Sequence, residues 1–408
     1  MKRLILSLAF VAIIAGVNAQ HVLPIQHDTV YSDFEVILHG VADYGTTSIE
    51  RRLTNKFFYG GEITDEMKST SFDRHGSINR IGWDMQSEIE FRNYKAEKIG
   101  KGKYGWLIRG SVQSYGSMVY SKDLFGLLFY GNEAYLGETI EFSGTRGSTW
   151  SFQKLGFGFI DKKSKSNISL NAYSIGSYAN LSLTDGRLFQ SESGDSLALS
   201  YQGSVESFSA DKMKRGWGLG IDADIRIPVE IKDDKKIFIQ FLVRNLGVGF
   251  LPNVTKYEAD SSFSFQGFTF DQLLGSSNFV SEDFSWPDTL NIQKSVKNQF
   301  RMLPGFVQVG KLVDGLNPSK IQAFYGARIY PSIALVPHVY AGVHYSPVKK
   351  FSTGAHVIYG GYSGFRFGWY SSVNFEKFNL GLATENVLGA VSGKGIGESI
   401  ILRLRLKL

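Results

Sequence analysis

The chain ends on a strict alternation of apolar and cationic residues, Leu402-Arg403-Leu404-Arg405-Leu406-Lys407-Leu408. Successive side chains of a β-strand point to opposite faces, so this segment would have one hydrocarbon face and one charged face. Such a strand suits a wall that has lipid on its outer side and water on its inner side. The last strand therefore predicts a transmembrane β-barrel.

The start of the chain has the features of an export signal. A positive pair, Lys2-Arg3, precedes an apolar run over 4–17, and Val17-Asn18-Ala19 supplies the small residues that a signal peptidase needs. We expect residues 1–19 to be removed by cleavage between Ala19 and Gln20. The alternative, an N-terminal membrane anchor, is disfavoured because the apolar run is shorter than the roughly 20 residues of a spanning helix.

The composition favours one large barrel over several soluble domains. The chain has 45 Gly, 31 Phe and 20 Tyr, but only 9 Pro, and 20% of its residues are charged. Tyr and Phe are good strand formers, and aromatic residues form the girdles of membrane barrels. The absence of Cys excludes a disulfide framework, a thiolate metal site and a lipid-modified N-terminal cysteine.

The charge balance argues against a nucleic-acid partner. Removing Lys2 and Arg3 leaves 42 basic residues against 38 acidic ones, a net charge of +4 that is spread along the chain. We find no basic patch with interleaved aromatic residues, and export makes nucleic acid an improbable ligand. The expected partners are outer-membrane lipid, a small or hydrophobic solute, and other surface or secretion proteins.

From Gly82 onward, alternating segments recur at the roughly ten-residue spacing of barrel strands. In 83–92, odd positions are mostly apolar and even positions are polar or charged. Turn signals separate the segments, among them Thr184-Asp185-Gly186 and 232–235. We predict an all-β fold, a transmembrane antiparallel meander barrel of about 14 strands, within a range of about 12 to 16, over residues 82–408.

Three segments lack this rhythm. Residues 20–81 are interpreted as a plug or a periplasmic lead-in to the barrel. Asp123 to Leu136 has the apolar crowding of a short helix followed by a loop, in or at the barrel mouth. Phe263 to Asn298 is rich in Ser, Phe and Asn and predicts a long loop.

Residues 221–227 show most clearly which face is which. Their apolar side is continuous, and a charge facing lipid at mid-bilayer costs about 2–4 kcal/mol, so the charged side chains must face inward. The same reasoning, applied along the chain, gives these candidate lumen-lining residues: Glu88, Glu90, Arg92, Arg109, Asp222, Asp224, Arg226, Arg244, His338, His344, Arg366, Arg403 and Arg405. Because both signs are present, internal salt bridges are favoured over one strongly selective ion path.

No pattern in the chain predicts a metal site, a cofactor or an enzyme. His338, Tyr340 and His344 share one face of a strand, and His356 lies on the next strand. Without HxH or HExxH spacing, hydrogen-bonded lumen histidines are a better account than metal ligands. We find no Gly-x-Ser-x-Gly elbow, P-loop or EF-hand loop, so we expect neither catalysis nor a bound cofactor.

The chain resembles an uncharacterised family of Bacteroidota outer-membrane barrels, a domain of unknown function. The resemblance rests on these short motifs: 123–132 with Tyr135-Leu136-Gly137, 216–224 with Val243-Arg244-Asn245-Leu246-Gly247, and 381–388. It implies an outer-membrane location in a Gram-negative bacterium and an architecture similar to long-chain fatty acid transporters. The family's Asn-Pro-Ala segment near the mature N-terminus is absent, which weakens the case for a transporter-like plug. The last residue is Leu408 and not the Phe common in proteobacterial barrels.

Three functions are compatible with these features. The leading hypothesis is a channel, transporter or binding barrel for a small or hydrophobic solute. The second is a structural or assembly subunit of a surface, secretion or gliding complex, with residues 261–286 as a partner surface. The third, a secreted β-sandwich adhesin, is disfavoured because the alternation continues over so many strands.

Overall fold

The computed structural model describes residues 32–95, 99–211, 214–231, 235–265, 292–313, 321–331 and 336–408. The expected signal peptide and its cleavage site at Ala19 and Gln20 lie outside the described residues. The strands are β1 (Phe34–Thr46), β2 (Asn79–Asn93), β3 (Tyr104–Tyr120), β4 (Thr139–Glu141), β5 (Arg146–Asp161), β6 (Asn167–Gln190), β7 (Leu197–Ser209), β8 (Gly216–Ile231), β9 (Lys235–Phe265), β10 (Ile292–Met302), β11 (Phe306–Leu312), β12 (Ile321–Ile329), β13 (Val336–Val348), β14 (Phe351–Gly361), β15 (Gly364–Asn374), β16 (Phe378–Thr384) and β17 (Gly397–Lys407). The helices are α1 (Arg51–Tyr59), α2 (Asp65–Asp73), α3 (Lys122–Tyr130) and α4 (Val387–Val391), and Glu133–Tyr135 forms a single 3₁₀ turn.

The strands form one antiparallel sheet that closes on itself. β1 completes the ring, because it pairs with β17 on one side and with β2 on the other. At two positions in the ring, two consecutive strands lie end to end and together act as one wall strand. At the first position, β7 and β8 both pair with β6 on one side and with β9 on the other. At the second position, β10 and β11 both pair with β9. With the short β4 as an addition to the edge of β6, the described residues form a 14-strand barrel.

This closed sheet confirms the predicted fold. The barrel is an antiparallel meander with a few short helices, and the β-sandwich alternative is wrong because the described strands pair in one ring instead of two stacked sheets. No helix in the described part of the chain has the length and apolarity needed to cross a bilayer.

The two faces of the wall differ in chemistry, as alternation requires. On β8, Asp222, Asp224 and Arg226 are buried inside the barrel, whereas Ile225 and Ile227 are exposed on its outer surface. The same contrast recurs around the ring in these exposed side chains: Leu155, Phe157, Leu170, Leu219, Phe300, Tyr325, Val343, Tyr359, Phe365 and Leu402. A continuous apolar outer surface of this kind matches a hydrocarbon environment.

The two rims of the barrel carry different connections. The chain enters β1 and leaves β17 at one rim, where the Phe34 N–H donates to the Leu408 carbonyl oxygen over 3.2 Å. Strands are joined there by short turns, such as the one at 349–350. The opposite rim bears long connections that contain all four helices. In bacterial outer-membrane barrels long loops face the exterior, and we therefore use the name external rim for the rim that bears the helices.

The sheet begins earlier in the chain than the expected boundary at Gly82. Residues 34–46, placed within the lead-in or plug by the sequence, are wall strand β1, and 51–73 are rim helices. The polar and apolar alternation of β1 is weaker than that of later strands because its inner face includes the apolar Ile37 and Val41. Residues 20–31, the rest of the expected lead-in, lie outside the described residues.

At two places where the sequence predicted an interruption between strands, the structure differs from the prediction. Thr184-Asp185-Gly186 is not a turn, because β6 continues through it with a one-residue shift in its pairing to β7 between Leu183 and Asp185. An inserted residue of this kind makes a bulge instead of a reversal. The expected loop at 263–298 is shorter, since β9 extends to Phe265 and β10 begins at Ile292. Residues 266–291, most of the expected partner surface, lie outside the described residues.

Candidate functional site in the barrel lumen

Asp222 is the centre of a buried ion-pair network at mid-wall. Its Oδ2 accepts hydrogen bonds from Arg109 Nη1 and Lys154 Nζ, each over 2.8 Å. The side chains of Asp222 and Arg109 are both 0% exposed. One carboxylate therefore holds two cations from two other strands, β3 and β5.

A backbone irregularity in β9 supplies the third partner of Asp222. Asn245 has a φ of 52°, and the pairing of β8 with β9 shifts by a residue between Ile221 and Ala223. Asn tolerates this left-handed conformation better than most residues. The shift turns the Asn245 N–H into the lumen, where it donates to Asp222 Oδ1 over 2.8 Å. Because of the bulge, a backbone N–H that would otherwise bond to the neighbouring strand donates to the buried carboxylate of Asp222.

The Asn245 side chain extends the network across the lumen. Its Oδ1 accepts from Lys154 Nζ over 3.1 Å, and its Nδ2 donates to Gln113 Oε1 over 2.8 Å. Gln113 Nε2 in turn donates to Asp84 Oδ1 over 2.8 Å. Side chains from β2, β3, β5, β8 and β9 are therefore linked through direct contacts.

The network continues to the strands that close the ring. Arg109 Nε donates to Glu90 Oε2 over 2.6 Å, and Glu90 also pairs with Arg92. Glu35 on β1 accepts from Arg405 Nη2 over 2.5 Å and contacts Arg92 at 3.8 Å. Glu88 contacts Arg109 Nε at 3.4 Å. We call the linked residues the mid-wall network: Glu35, Asp84, Glu88, Glu90, Arg92, Arg109, Gln113, Lys154, Asp222, Asn245 and Arg405.

Two smaller ion-pair groups lie beside this network. Asp224 accepts from Arg226 Nη2 over 2.8 Å and from Gln240 Nε2 over 2.7 Å. Nearer the external rim, Arg366 Nη1 donates to Asp43 over 2.8 Å and Nη2 donates to Glu385 over 3.0 Å. Burying charges is costly unless each is paired and hydrogen-bonded, and these groups meet that condition.

A cavity of about 90 Å³ lies in the lumen, lined in part by residues of the mid-wall network. Its volume admits several water molecules or one small ion, and it is enclosed by side chains from strands around the ring. The charged side chains that line it are Asp84, Glu88, Glu90, Arg92, Lys154, Asp224, Arg244, Arg328 and Arg403. His39 and Gln308 are among the neutral polar groups on the same lining.

The structure brings most of the candidate residues together and leaves three apart. These candidates lie in the mid-wall network, beside it or on the cavity lining: Glu88, Glu90, Arg92, Arg109, Asp222, Asp224, Arg226, Arg244, Arg403 and Arg405. Arg366 belongs to the group near the external rim. His338 and His344 are buried on β13, away from the cavity lining.

The histidines differ in their hydrogen bonding. His344 Nδ1 bonds with the Tyr370 hydroxyl over 2.7 Å, and Nε2 bonds with the Ser346 hydroxyl over 2.7 Å. His338 Nδ1 makes one longer contact with the Tyr330 hydroxyl, at 3.4 Å. Within the described ranges, both ring nitrogens of His356 lack a partner, so the expected bonding is wrong for this residue. In those same ranges, no three acidic or histidine side chains form a group suited to a metal ion.

Sequence reasoning missed Lys154, Gln113 and Asn245 as members of the site. Lys154 had a usable signal, because Leu155, Phe157 and Phe159 define the outer face and place residue 154 inside. Gln113 also had a signal, because it lies four residues after Arg109 and therefore on the same face of β3. Asn245 had no signal, since its role depends on a shift in pairing between two strands.

The external rim holds an apolar cluster that contrasts with the lumen. Ile49, Leu53, Tyr120 and Phe125 are buried together, and Met67, Phe72 and other side chains of α2 and α3 pack against them. We call this group the rim cluster. Beside it, His75 Nδ1 donates to the Ser71 carbonyl oxygen over 2.7 Å, which leaves Nε2 to accept from the Tyr120 hydroxyl over 3.1 Å.

Comparison with solved structures finds membrane barrels whose sequences are very different from that of this chain. One is a TodX deltaS2S3 mutant monoaromatic hydrocarbon channel, which is 7% identical, with 93% of this chain and 91% of that chain covered and a TM-score of 0.44. Another is the toluene transporter TodX of P. putida, at 9% identity, 91% and 87% coverage and a TM-score of 0.35. A third is the translocator domain of the autotransporter NalP from Neisseria meningitidis, at 9% identity, 94% and 91% coverage and a TM-score of 0.31.

A search of curated proteins by sequence finds no match. A family model does match, over residues 47–385, and its description is "Family of unknown function (DUF5723)". This range covers most of the chain, from the first rim helix to the connection before the last strand, and the protein therefore belongs to the DUF5723 family.

Proposed function

We propose that this barrel lies in the outer membrane of a Gram-negative bacterium and is a closed, openable route for a small polar solute. The observation behind the proposal is the charged, cavity-containing lumen at mid-wall. A barrel that only had to be stable could fill this space with apolar side chains, which often stabilise as well as buried ion pairs or better. Keeping charges around a cavity is expected where a polar solute has to be accommodated.

The lumen lining favours a polar solute over a hydrophobic one. Four carboxylates and five cations line the cavity, and a hydrocarbon ligand would offer none of them a hydrogen bond or a compensating charge. Leaving buried polar groups without partners costs several kcal/mol in the worst cases, on the order of 2–7 kcal/mol per group. The proposal assigns these charges to solute passage and involves neither a catalytic step nor a cofactor.

The same contacts explain why the resting barrel would be closed. The Arg109–Asp222 pair connects β3 to β8, and the Gln113–Asn245 bond connects β3 to β9, so both cross the lumen. Passage requires these contacts to separate. We therefore expect the wild-type protein to show low conductance with brief openings.

Conductance in planar bilayers tests this proposal. The double substitution Arg109→Ala/Asp222→Ala removes a matched pair of charges and their volume, and should increase conductance and open probability. Arg187→Ala/Asp195→Ala, at exposed positions near the external rim, is the matched control and should behave as wild type. Folding of each variant is verified by faster migration on SDS gels before heating. If wild type and the lumen variant are both folded and both silent, the proposal fails.

A second candidate function, assembly with other surface proteins, is supported by apolar side chains on the external rim. Tyr59 is 82% exposed, Leu128 70% and Val391 75%, on α1, α3 and α4. Exposed apolar groups on separate helices of one rim are typical of a binding surface. Affinity purification from native membranes, comparing wild type with Tyr59→Ser/Leu128→Ser, should then show a partner that only the wild-type protein retains.

A further inference from the structure

Arg403 is a cation of the cavity lining that makes no ion pair with any residue that the structure describes. It lies on β17 opposite His39 of β1, and its half-buried side chain borders the cavity. Among the described residues it forms no ion pair and no side-chain hydrogen bond. Arg405, two positions further on the same face, differs in this respect because it pairs with Glu35 over 2.5 Å.

Arg244 lies on the same lining and is only weakly compensated. Its single ion-pair contact, from Nη1 to Asp222 Oδ2, is 3.7 Å long, and this buried Nη1 has no hydrogen-bond partner in the described part of the chain. Asp222 already accepts three shorter bonds, from Arg109, Lys154 and the Asn245 N–H. Two guanidinium groups therefore face the cavity with unused donors.

The carboxylates of the lining are engaged elsewhere. Glu90 pairs with Arg92 and Arg109, and Asp224 pairs with Arg226 and Gln240. The other two lining carboxylates have partners as well: Glu88 contacts Gln86, Arg109 and Lys154, and Asp84 accepts from Gln113. A guanidinium stays protonated, so the charge on Arg403 cannot be relieved by loss of a proton.

We propose that the cavity binds a small oxyanion, a carboxylate or an inorganic ion such as phosphate, held by Arg403 and Arg244. Guanidinium groups match such anions because their N–H donors form parallel bonds to two oxygens. A volume of about 90 Å³ is sufficient for a single small anion. The claim that this anion is also the transported solute rests on the proposed function. Binding of the anion to the cavity can be measured without transport.

Stabilisation by inorganic phosphate is the test. A ligand that binds only the folded state raises the unfolding midpoint in a saturable way. In detergent at fixed ionic strength, phosphate should raise the midpoint of wild type and of the exposed control Arg187→Gln. Arg403→Gln should require at least about tenfold more phosphate for the same rise, given the strength of charge-assisted bonds. A general salting effect of phosphate would be unsaturable and equal in all three proteins, and this result would overturn the inference.

The change in unfolding midpoint that Arg403→Gln causes in the absence of phosphate is a second, independent test. If Arg403 lacks an anionic partner, Arg403→Gln removes an uncompensated charge and should raise the unfolding midpoint of the anion-free barrel. A lower midpoint would mean that Arg403 has an acceptor in the protein, and the inference would fail. Saturable phosphate binding without conductance would refute the proposed solute route and leave the anion site standing. Conductance without phosphate binding would refute the anion site and leave the proposed route standing.

Discussion

The mid-wall network and the rim cluster are both buried, but they are stabilised by opposite means. In the network, Asp222 holds Arg109 and Lys154 through charge-assisted bonds between strands that are far apart in the sequence. In the rim cluster, Leu53 and Phe125 are buried by packing of short helices against one another. The first depends on the alignment of many strands, the second on local apolar contact.

This difference predicts how each region fails. A charge in the network is shared by several partners, so its removal leaves other charges buried without compensation. The rim cluster has no such coupling, because apolar contacts are lost gradually and locally. We therefore expect damage at mid-wall to affect the whole barrel and damage at the rim to stay at the rim.

The largest effect is expected for Asp222→Asn, which keeps the shape of the side chain and removes its charge. Arg109 and Lys154 would then be buried with less anionic compensation, at a cost of about 3–5 kcal/mol in the free energy of unfolding. Urea unfolding of the barrel in lipid vesicles measures the loss. Asp195→Asn, in an exposed turn, is the control and should stay within about 0.5 kcal/mol of wild type. A loss that small for Asp222→Asn would show that the network does not stabilise the barrel.

The outer surface of the same strand gives the next largest effect. Ile225 is exposed on the outer face between Asp224 and Arg226, so Ile225→Arg puts a charge against lipid. The expected cost is about 2–4 kcal/mol if the site lies near the bilayer midplane. The measurement is the yield of heat-modifiable barrel after folding into vesicles, with Ile225→Leu as the control. Normal folding of the Arg variant would mean that this face does not contact lipid.

A smaller and local effect is expected for Leu53→Ala in the rim cluster. Truncation of a buried Leu costs about 2 kcal/mol at the low end of the usual range, which suits a site that can relax toward solvent. Limited proteolysis should cut within 51–73 faster, while the heat-modifiable barrel remains intact. Leu388→Ala, an exposed leucine on α4 of the same rim, is the matched control. Global unfolding of Leu53→Ala would contradict the independence of the two regions.

The smallest effect is a pH dependence of the rim cluster through His75. Burial, together with the nearby Lys122 ammonium, lowers the pKa of His75 below its ordinary value. The unfolded chain therefore binds a proton more readily, so the stabilisation by neutral His75 is complete above the ordinary pKa of about 6.5 and declines as the pH falls toward the lowered value.

Amide hydrogen exchange of residues 49–75 at pH 7.5 and pH 5 would show this loss of protection. Protonation makes His75 Nε2 a donor, so it could no longer accept from the Tyr120 hydroxyl. His75→Gln is the control and should remove the pH dependence. Greater protection at the lower pH would reverse the sign and contradict the assignment of the neutral ring.

The sequence by itself determined the barrel, its approximate strand number and the face on which the charges of its most regular strands lie. Alternation with a period of two is a local property, and the cost of a charge in lipid fixes its direction without knowledge of the neighbours. For this reason Asp222, Asp224 and Arg226 could be placed inside from their own segment alone. Helix α3 was likewise predictable from its local apolar crowding.

Only the tertiary structure decided which of these charges meet. The position of Asn245 at a one-residue shift gives Asp222 its backbone donor, and no local pattern encodes such a shift. Membership of β1 in the wall follows from its pairing with the last strand, more than 350 residues away in the sequence. Arg403 and Arg405 are alike in the sequence, yet one has a carboxylate partner and the other faces a cavity. Contacts across the lumen depend on the register of many strands at once, and that information is not local.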